Sequence, residues 1–472
     1  MLITKGNIFK EKEIIAISSF SLNRLSIKLP EGGMDNLILV MEGGGITFKK
    51  SFLKPNQTGH RWLLLSAALV TMMVISIYQY SWSLFATGLN VELKWEMTVI
   101  QLAFVLFTYA ATFVQPFSGW FADKYNSRNT AMLGSLLTFL GFSACSIVNS
   151  PLTLYLYYTL GSVGVGILYG LCTAVAVKWF PDRRGLATGL VTFGFGGGTM
   201  FFNLLIQSLI STYGVKNAFL YVSIIMLVAT MPFAIICRFP DSRPQQVSGQ
   251  PLQISEKMGN ERDWVWFRMI RTYQWWLIYI TFTVIAAIAL LFGAQIKPLA
   301  IELKIPESTL NLTLVLFPLA NGFSRILGGW LSDRIGRQVT ATLFYALSGI
   351  FMVLLGFFGS SAFGFSIFVT LSILFAGAVF AFNPLFIGEF YGSRYATVNY
   401  GITYTAKSWG GLIAGYLTSW LQTTFGSYSY SILALGAAAL ISAALVNPYL
   451  LKNPKEFTKT EIRKSSTNLV EE

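Results

Sequence analysis

Long apolar windows separated by short polar turns dominate the chain. Twelve are long enough to cross a bilayer, near residues 62–84, 98–121, 130–149, 152–177, 186–211, 217–237, 274–296, 308–332, 338–358, 361–387, 399–423 and 428–450. A hydrocarbon core about 30 Å thick is crossed by a helix of about 20 apolar residues, because the backbone there must bond to itself. The pattern therefore predicts an all-α integral membrane fold of twelve transmembrane helices in two six-helix halves, 61–238 and 273–450. A polar linker, 239–272, joins them. Its ERDWVWFRMIRTYQWW stretch interleaves Trp with Arg, as suits a helix lying on the membrane surface.

Residues 1–60 mix polar and apolar side chains without a helical period and lack the pattern of a signal peptide. They are expected to form a disordered cytoplasmic tail, and Met34 and Met41 offer later starts before the first window. Residues 451–472 read as a second cytoplasmic tail.

Composition agrees with the pattern. Of 472 residues 54% are hydrophobic and 12% charged, against about 25% charged in a soluble domain. The formal charge of +13 reflects topology. With the N-terminus inside, the inner loops and C-terminal tail from Lys124 onward hold nineteen Lys and Arg, the outer loops only Lys94, Lys216, Lys297 and Lys304. Positive loops stay in the cytoplasm, so both termini are expected there, in a multi-pass protein of the cell membrane that binds no nucleic acid. Cys145, Cys172 and Cys237 are scattered through apolar windows and His60 is the sole histidine, so no metal cluster is expected. Neither a GxxxxGKS/T phosphate loop nor a GxSxG elbow occurs. No cofactor and no enzymatic reaction are expected, and a monomer is.

GWFADKYNSR (Gly119 to Arg128) and GWLSDRIGR (Gly329 to Arg337) close the second helix of each half. In each, glycine precedes by four residues an aspartate, Asp123 or Asp333, and basic residues follow, Arg128 in one and Arg334 and Arg337 in the other. The reading is a latch: glycine lets helices approach, and the aspartate meets nearby Arg and Lys donors. The repeat resembles the signature loop of the major facilitator superfamily, whose fold is the two-half architecture above. Asn126 stands where that pattern has glycine, a place asparagine fills by tolerating a left-handed turn.

All 21 acidic residues fall in tails, loops or helix ends, yet two cations lie well inside windows, Arg325 and Lys407. A charge at bilayer depth costs at least about 2.5–3.5 kcal/mol, so it marks function by default. Arg325 lies eight residues before Asp333, about 12 Å inside the membrane at 1.5 Å per residue. Lys407 is similarly deep. With no buried acid to pair them, a small anion between them is the expected partner, the guanidinium matching a carboxylate and the ammonium adding a mobile charge. The alternative is snorkelling to the interface. Gly322, Gly328, Gly329, Gly401, Gly410, Gly411 and Gly415 around the two argue instead for packed helices.

Seven stretches in order, RWLLLSAALVTMMVISIYQYSWSLF, VIQLAF, VQPFSGWFADK, YTLGSVGVGILYG, KWFPDRRGLATGL, NGFSRILGGWLSDRIGR and NYGITYTAKSWGG, resemble the oxalate/formate antiporter family. The resemblance implies exchange of small carboxylates by alternating access, with Arg325 and Lys407 as the carboxylate-binding pair. It also implies pocket roles for Gln79, Tyr80, Gln101, Tyr169 and Tyr404, the first four of which serve equally well as packing glue. Phe195 and Phe380 replace expected tyrosines, Ala376 and Tyr404 expected tryptophans, which predicts a roomier, less polar pocket. A proton-coupled carrier similar to the monocarboxylate transporters is the competing reading, but the spans offer it no titrating carboxylate, only a buried lysine. A non-transporting membrane sensor on the same fold is the reading from another class.

Overall fold

The computed structural model describes residues 24–26, 37–42, 45–50, 55–115, 117–118, 122, 126–180, 184–239, 264–392 and 396–454. The chain divides into two compact units, Met1–His60 and Arg61–Glu472.

In the first unit the described residues form a small antiparallel sheet. Strand β1 (Arg24–Ser26) pairs with β2 (Leu37–Glu42), and β2 with β3 (Gly45–Lys50). The register sets Glu42 opposite Gly45. Gly43-Gly44 between two apolar runs is the local signal for this hairpin, which a search for helical period passes over.

The second unit is built of helices, and the twelve windows correspond to them. Helix α1 runs in three pieces, Pro55–Ile75, Ile77–Tyr80 and Trp82–Leu93. Then come α2 (Met97–Phe113), α3 (Ser127–Ala144) and α4 (Pro151–Trp179). Helix α5 starts as Arg184–Gly197 and continues through 203–213; α6, 215–236, doubles back at Gly214, whose φ of 82° only glycine adopts freely. A short helix, Trp266–Met269, lies in the linker. The second half has α7 (Tyr273–Glu302), α8 (Glu307–Ile335), α9 (Arg337–Phe358) and α10 (Ala362–Ala376 and Val379–Tyr391). Helix α11 comprises Ala396–Tyr404, Ala406–Leu412, a π-turn at Ile413–Leu417, and Thr418–Phe425; α12 is Ser429–Leu445.

Short polar side chains start several helices by capping free backbone N–H groups. Ser150 and Thr153 form a reciprocal capping box ahead of Pro151, and Thr272 and Ser361 accept from Trp275 N and Gly364 N. Asn126 acts the same way. Its backbone is extended and its Oδ1 accepts from Arg128 N at 2.9 Å, so it caps α3 and makes no left-handed turn. Gly336, its counterpart in the second repeat, does take a positive φ, 90°.

The halves meet along a seam running from mid-helix to the end where α1 joins α2 and α7 joins α8. Across it Thr98 meets Thr423, Gln207 donates to Glu307 and Asn203 donates to Leu314 O. Deeper in, Ser408 donates to Thr108 O, and Asn321 to Gly196 O. Glycines make the approach possible. A Cβ on Gly196 would fall 3.0 Å from Gly322 Cα, and one on Gly411 would overlap Thr108. Toward the opposite end Gly189, Gly329 and Gly388 stand in open space.

Candidate anion site

Arg325 and Lys407 come together at mid-helix, at 6% and 2% exposure. The arginine is placed by α8 packing on α5 through Gly322, and its Nη1 donates to Thr192 O at 2.8 Å. Its Cζ lies 5.3 Å from the centre of the Phe380 ring on α10. Lys407, on the Ala406–Leu412 segment of α11, has its Nζ 6.0 Å from that same ring, 5.6 Å from Tyr404 and 5.6 Å from Phe195 across the seam. One phenyl ring thus carries both cations.

The rest of the wall is aromatic. Phe195 receives Tyr169 edge-on at 4.9 Å and Tyr80 at 5.9 Å. Phe282 of α7 backs Phe380 and Tyr404. Ring faces attract cations by about 0.5–2 kcal/mol each but neutralise nothing, and among the described residues neither cation forms an ion pair. The expected roominess does not appear as exposed wall: Phe195, Phe380 and Tyr404 are 2%, 8% and 4% exposed. The two phenylalanines present their rings to the cations at 5.3 to 6.0 Å, while Tyr169 keeps partial exposure.

Several buried polar atoms here make no well-formed hydrogen bond: both amide atoms of Gln79, the Tyr80 hydroxyl that neighbours the Gln79 and Asn321 side chains, Arg325 Nε and Asn321 Oδ1. Buried polar groups are nearly always satisfied, so a cluster of orphans beside two cations makes this the candidate site. Asn321, one turn before Arg325, went unnoticed in the sequence. An amide in an apolar window was its only signal.

Gln101 takes the packing role. Its amide is engaged at the seam, Oε1 accepting from Trp82 Nε1 at 3.0 Å and Nε2 donating to Ala294 O at 2.7 Å. It joins the halves.

Of the latch residues, Gly119 and Asp123 lie outside the described residues. Arg128 sits in the first turn of α3. In the second repeat Arg337 pairs with Glu389 of α10 at 2.7 Å and donates to Leu385 O, while Arg334 lies over Trp330. Asp333 is exposed and makes no ion pair among the described residues. Gly328, not Gly329, provides the close approach, a Cβ there meeting Ala378 at 2.7 Å. Among the described residues the ion pair of the second repeat is the Arg337–Glu389 bridge between α9 and α10, Arg337 opening α9 beside α10.

Comparison with known proteins fits this architecture. The Major Facilitator Superfamily model matches residues 64–297 and 278–470. The oxalate:formate antiporter of Oxalobacter formigenes is 32% identical over 390 residues, 82% of this chain and 91% of the relative. Monocarboxylate transporter 12-B of Danio rerio is 22% identical over 463 residues, 88% of this chain and 93% of that one. Among solved structures the nucleoside transporter NupG superposes with a TM-score of 0.62 at 12% identity, covering 81% of this chain and 98% of that chain, a likeness of fold alone. This chain is a multi-pass membrane protein that belongs to the major facilitator superfamily of transporters, with the oxalate:formate antiporter among its relatives.

Proposed function

We propose that the protein exchanges small organic carboxylate anions across the cell membrane by alternating access, the anion bridging Arg325 and Lys407. The observation that carries this is the shared Phe380 face: two buried cations, no acid between them, and polar atoms without a well-formed hydrogen bond alongside. A carboxylate would take the guanidinium in-plane and the ammonium end-on, while Tyr80, Gln79 and Asn321 complete its remaining hydrogen bonds, with Tyr169 and Tyr404 as further walls.

Obligatory exchange follows from the same charges. Rocking of the halves about a central site is the general mechanism of this architecture, and it requires the site to close. Closing a dry cavity around unpaired cations is costly, and closing it around a neutralised pair much less so. The empty carrier is held back and the loaded one moves. The assignment further places the basic loops and both termini in the cytoplasm, with the carrier acting as a monomer and without a cofactor.

The test is counterflow in proteoliposomes loaded with unlabelled oxalate, formate or lactate. Uptake of labelled anion should require an anion inside and vanish in Lys407→Ala and Arg325→Ala, both of which still insert and purify. Absence of counterflow for every carboxylate tried, in a folded preparation, sinks the proposal and favours the sensor reading.

A further inference from the structure

Gln295 of α7 is 1% exposed, and its amide has no atom to spare. Nε2 donates to Ser419 Oγ at 2.8 Å and to Gly415 O at 3.0 Å, with Ala414 O at 3.4 Å. Oε1 accepts from the Tyr428 hydroxyl at 3.1 Å and, across the seam, from Gln101 Nε2 at 3.4 Å. The two glutamines thus link Trp82 and Gln101 of the first half to α7, α11 and the start of α12.

The carbonyls that Gln295 engages belong to the π-turn at Ile413–Leu417. Such a turn packs one extra residue into a helix and leaves carbonyls misaligned for the next N–H, so it persists where something else bonds them. Each α-helical residue adds about 100° of rotation and 1.5 Å of rise. Absorbing the extra residue would therefore swing one part of α11 by about 100° against the other. One part is anchored by Ser419. The other carries Lys407, six residues before the turn. Gly415 packs on Gln101 itself, a Cβ there falling 3.4 Å from Gln101 O.

We infer that Gln295 is a positioning residue for transport: it holds the π-turn that aims Lys407 at the anion, and through Gln101 it ties that aim to closure of the seam. This rests on the exchanger reading above. Opening the seam must break Gln101 from Ala294 and Gln295, which leaves Gln295 Oε1 with the Tyr428 hydroxyl alone and loosens, without breaking, the amide that fixes the turn. Gate and anion site then change together.

A cysteine at Leu314, which is fully buried where α8 meets α5, reports seam opening to a membrane-impermeant maleimide, and the three native cysteines are themselves buried. In Gln295→Leu, labelling of Leu314→Cys without any anion should speed by about ten-fold, the worth of one to two buried hydrogen bonds. Oxalate affinity, read by thermal shift, should fall by a similar factor. Gln101→Leu should speed labelling equally yet weaken oxalate binding less, since it leaves the π-turn contacts in place, and it also serves if Gln295→Leu fails to fold. A merely structural role would lower melting temperature and leave labelling unchanged. Wild-type labelling rates in folded Gln295→Leu and Gln101→Leu overturn the gate, and equal loss of oxalate affinity in both variants overturns the positioning role. If no carboxylate alters labelling or melting of the wild type, the exchanger reading and the positioning role fall together, while the anion-free rates still decide the gate.

Discussion

Replacing Lys407 with Met removes the charge and keeps the apolar stem. At the membrane midplane a lysine costs about 2.5–3.5 kcal/mol. Three ring contacts offset part of this, but at 5.6 to 6.0 Å they sit at the far limit of the interaction and contribute about 0.5 kcal/mol each. Arg325 on the same ring adds repulsion. The empty protein should therefore gain about 1–2 kcal/mol from Lys407→Met, a rise of about 2 °C in melting temperature for a unit of this size. The wild type should gain about 2.7 kcal/mol from a substrate anion at one hundred times its Kd, and the variant nothing. Differential scanning fluorimetry of the detergent-purified pair, with and without a panel of small carboxylates headed by oxalate, measures both effects. A variant that melts below wild type and is still stabilised by the same anion refutes the reasoning, since Lys407 would then be a structural pin.

Arg325→Lys keeps charge but loses the planar fork, so anion affinity should drop about ten-fold or more, read by the same thermal shift, with expression unchanged. Gly411→Val drives side-chain carbon into Thr108 of α2 and should cost about 1–3 kcal/mol of stability, visible as a lower melting temperature and reduced yield. Exchange rates in proteoliposomes should be the same with and without an imposed pH gradient, because no acid lies mid-span to carry a proton; acceleration by an inward gradient would favour the proton-coupled carrier. Arg337→Ala breaks a half-exposed bridge to Glu389, and equilibrium stability should change by less than about 1 kcal/mol, as measured by thermal denaturation.

The span pattern and the two cations were legible because lipid makes both conspicuous: apolar length shows hydrocarbon, and a charge inside it demands a reason. What bonds to what was far less legible. Gln101 and Gln295 are both amides in apolar windows, and nothing local says that both serve the seam and neither a ligand. They find each other only once α2, α7 and α11 pack. The Arg337–Glu389 bridge joins residues 52 positions apart, so an aspartate four residues away looked the better partner. The π-turn left no trace in IAGYL, since it is held open from outside by the Gln295 side chain. Asn126 was read by the company glycine keeps, and its side-chain cap replaced the turn that glycine would have made.

The contact of Gly196 with Gly322, backbone on backbone, carries a mechanical consequence. The Phe193 ring of α5 lies against Gly322 and Asn321 of α8 donates to Gly196 O, so the two helices are pinned at this point and α8 can tilt on α5 as a lever on a fixed fulcrum. Arg325 is three residues from that fulcrum and Ile335 thirteen, roughly 4.5 Å and 20 Å along the helix. A tilt of about 10° would carry the helix end some 3 Å while shifting the arginine by less than about 1 Å. The mouth can thus open widely while the grip on the cargo scarcely moves.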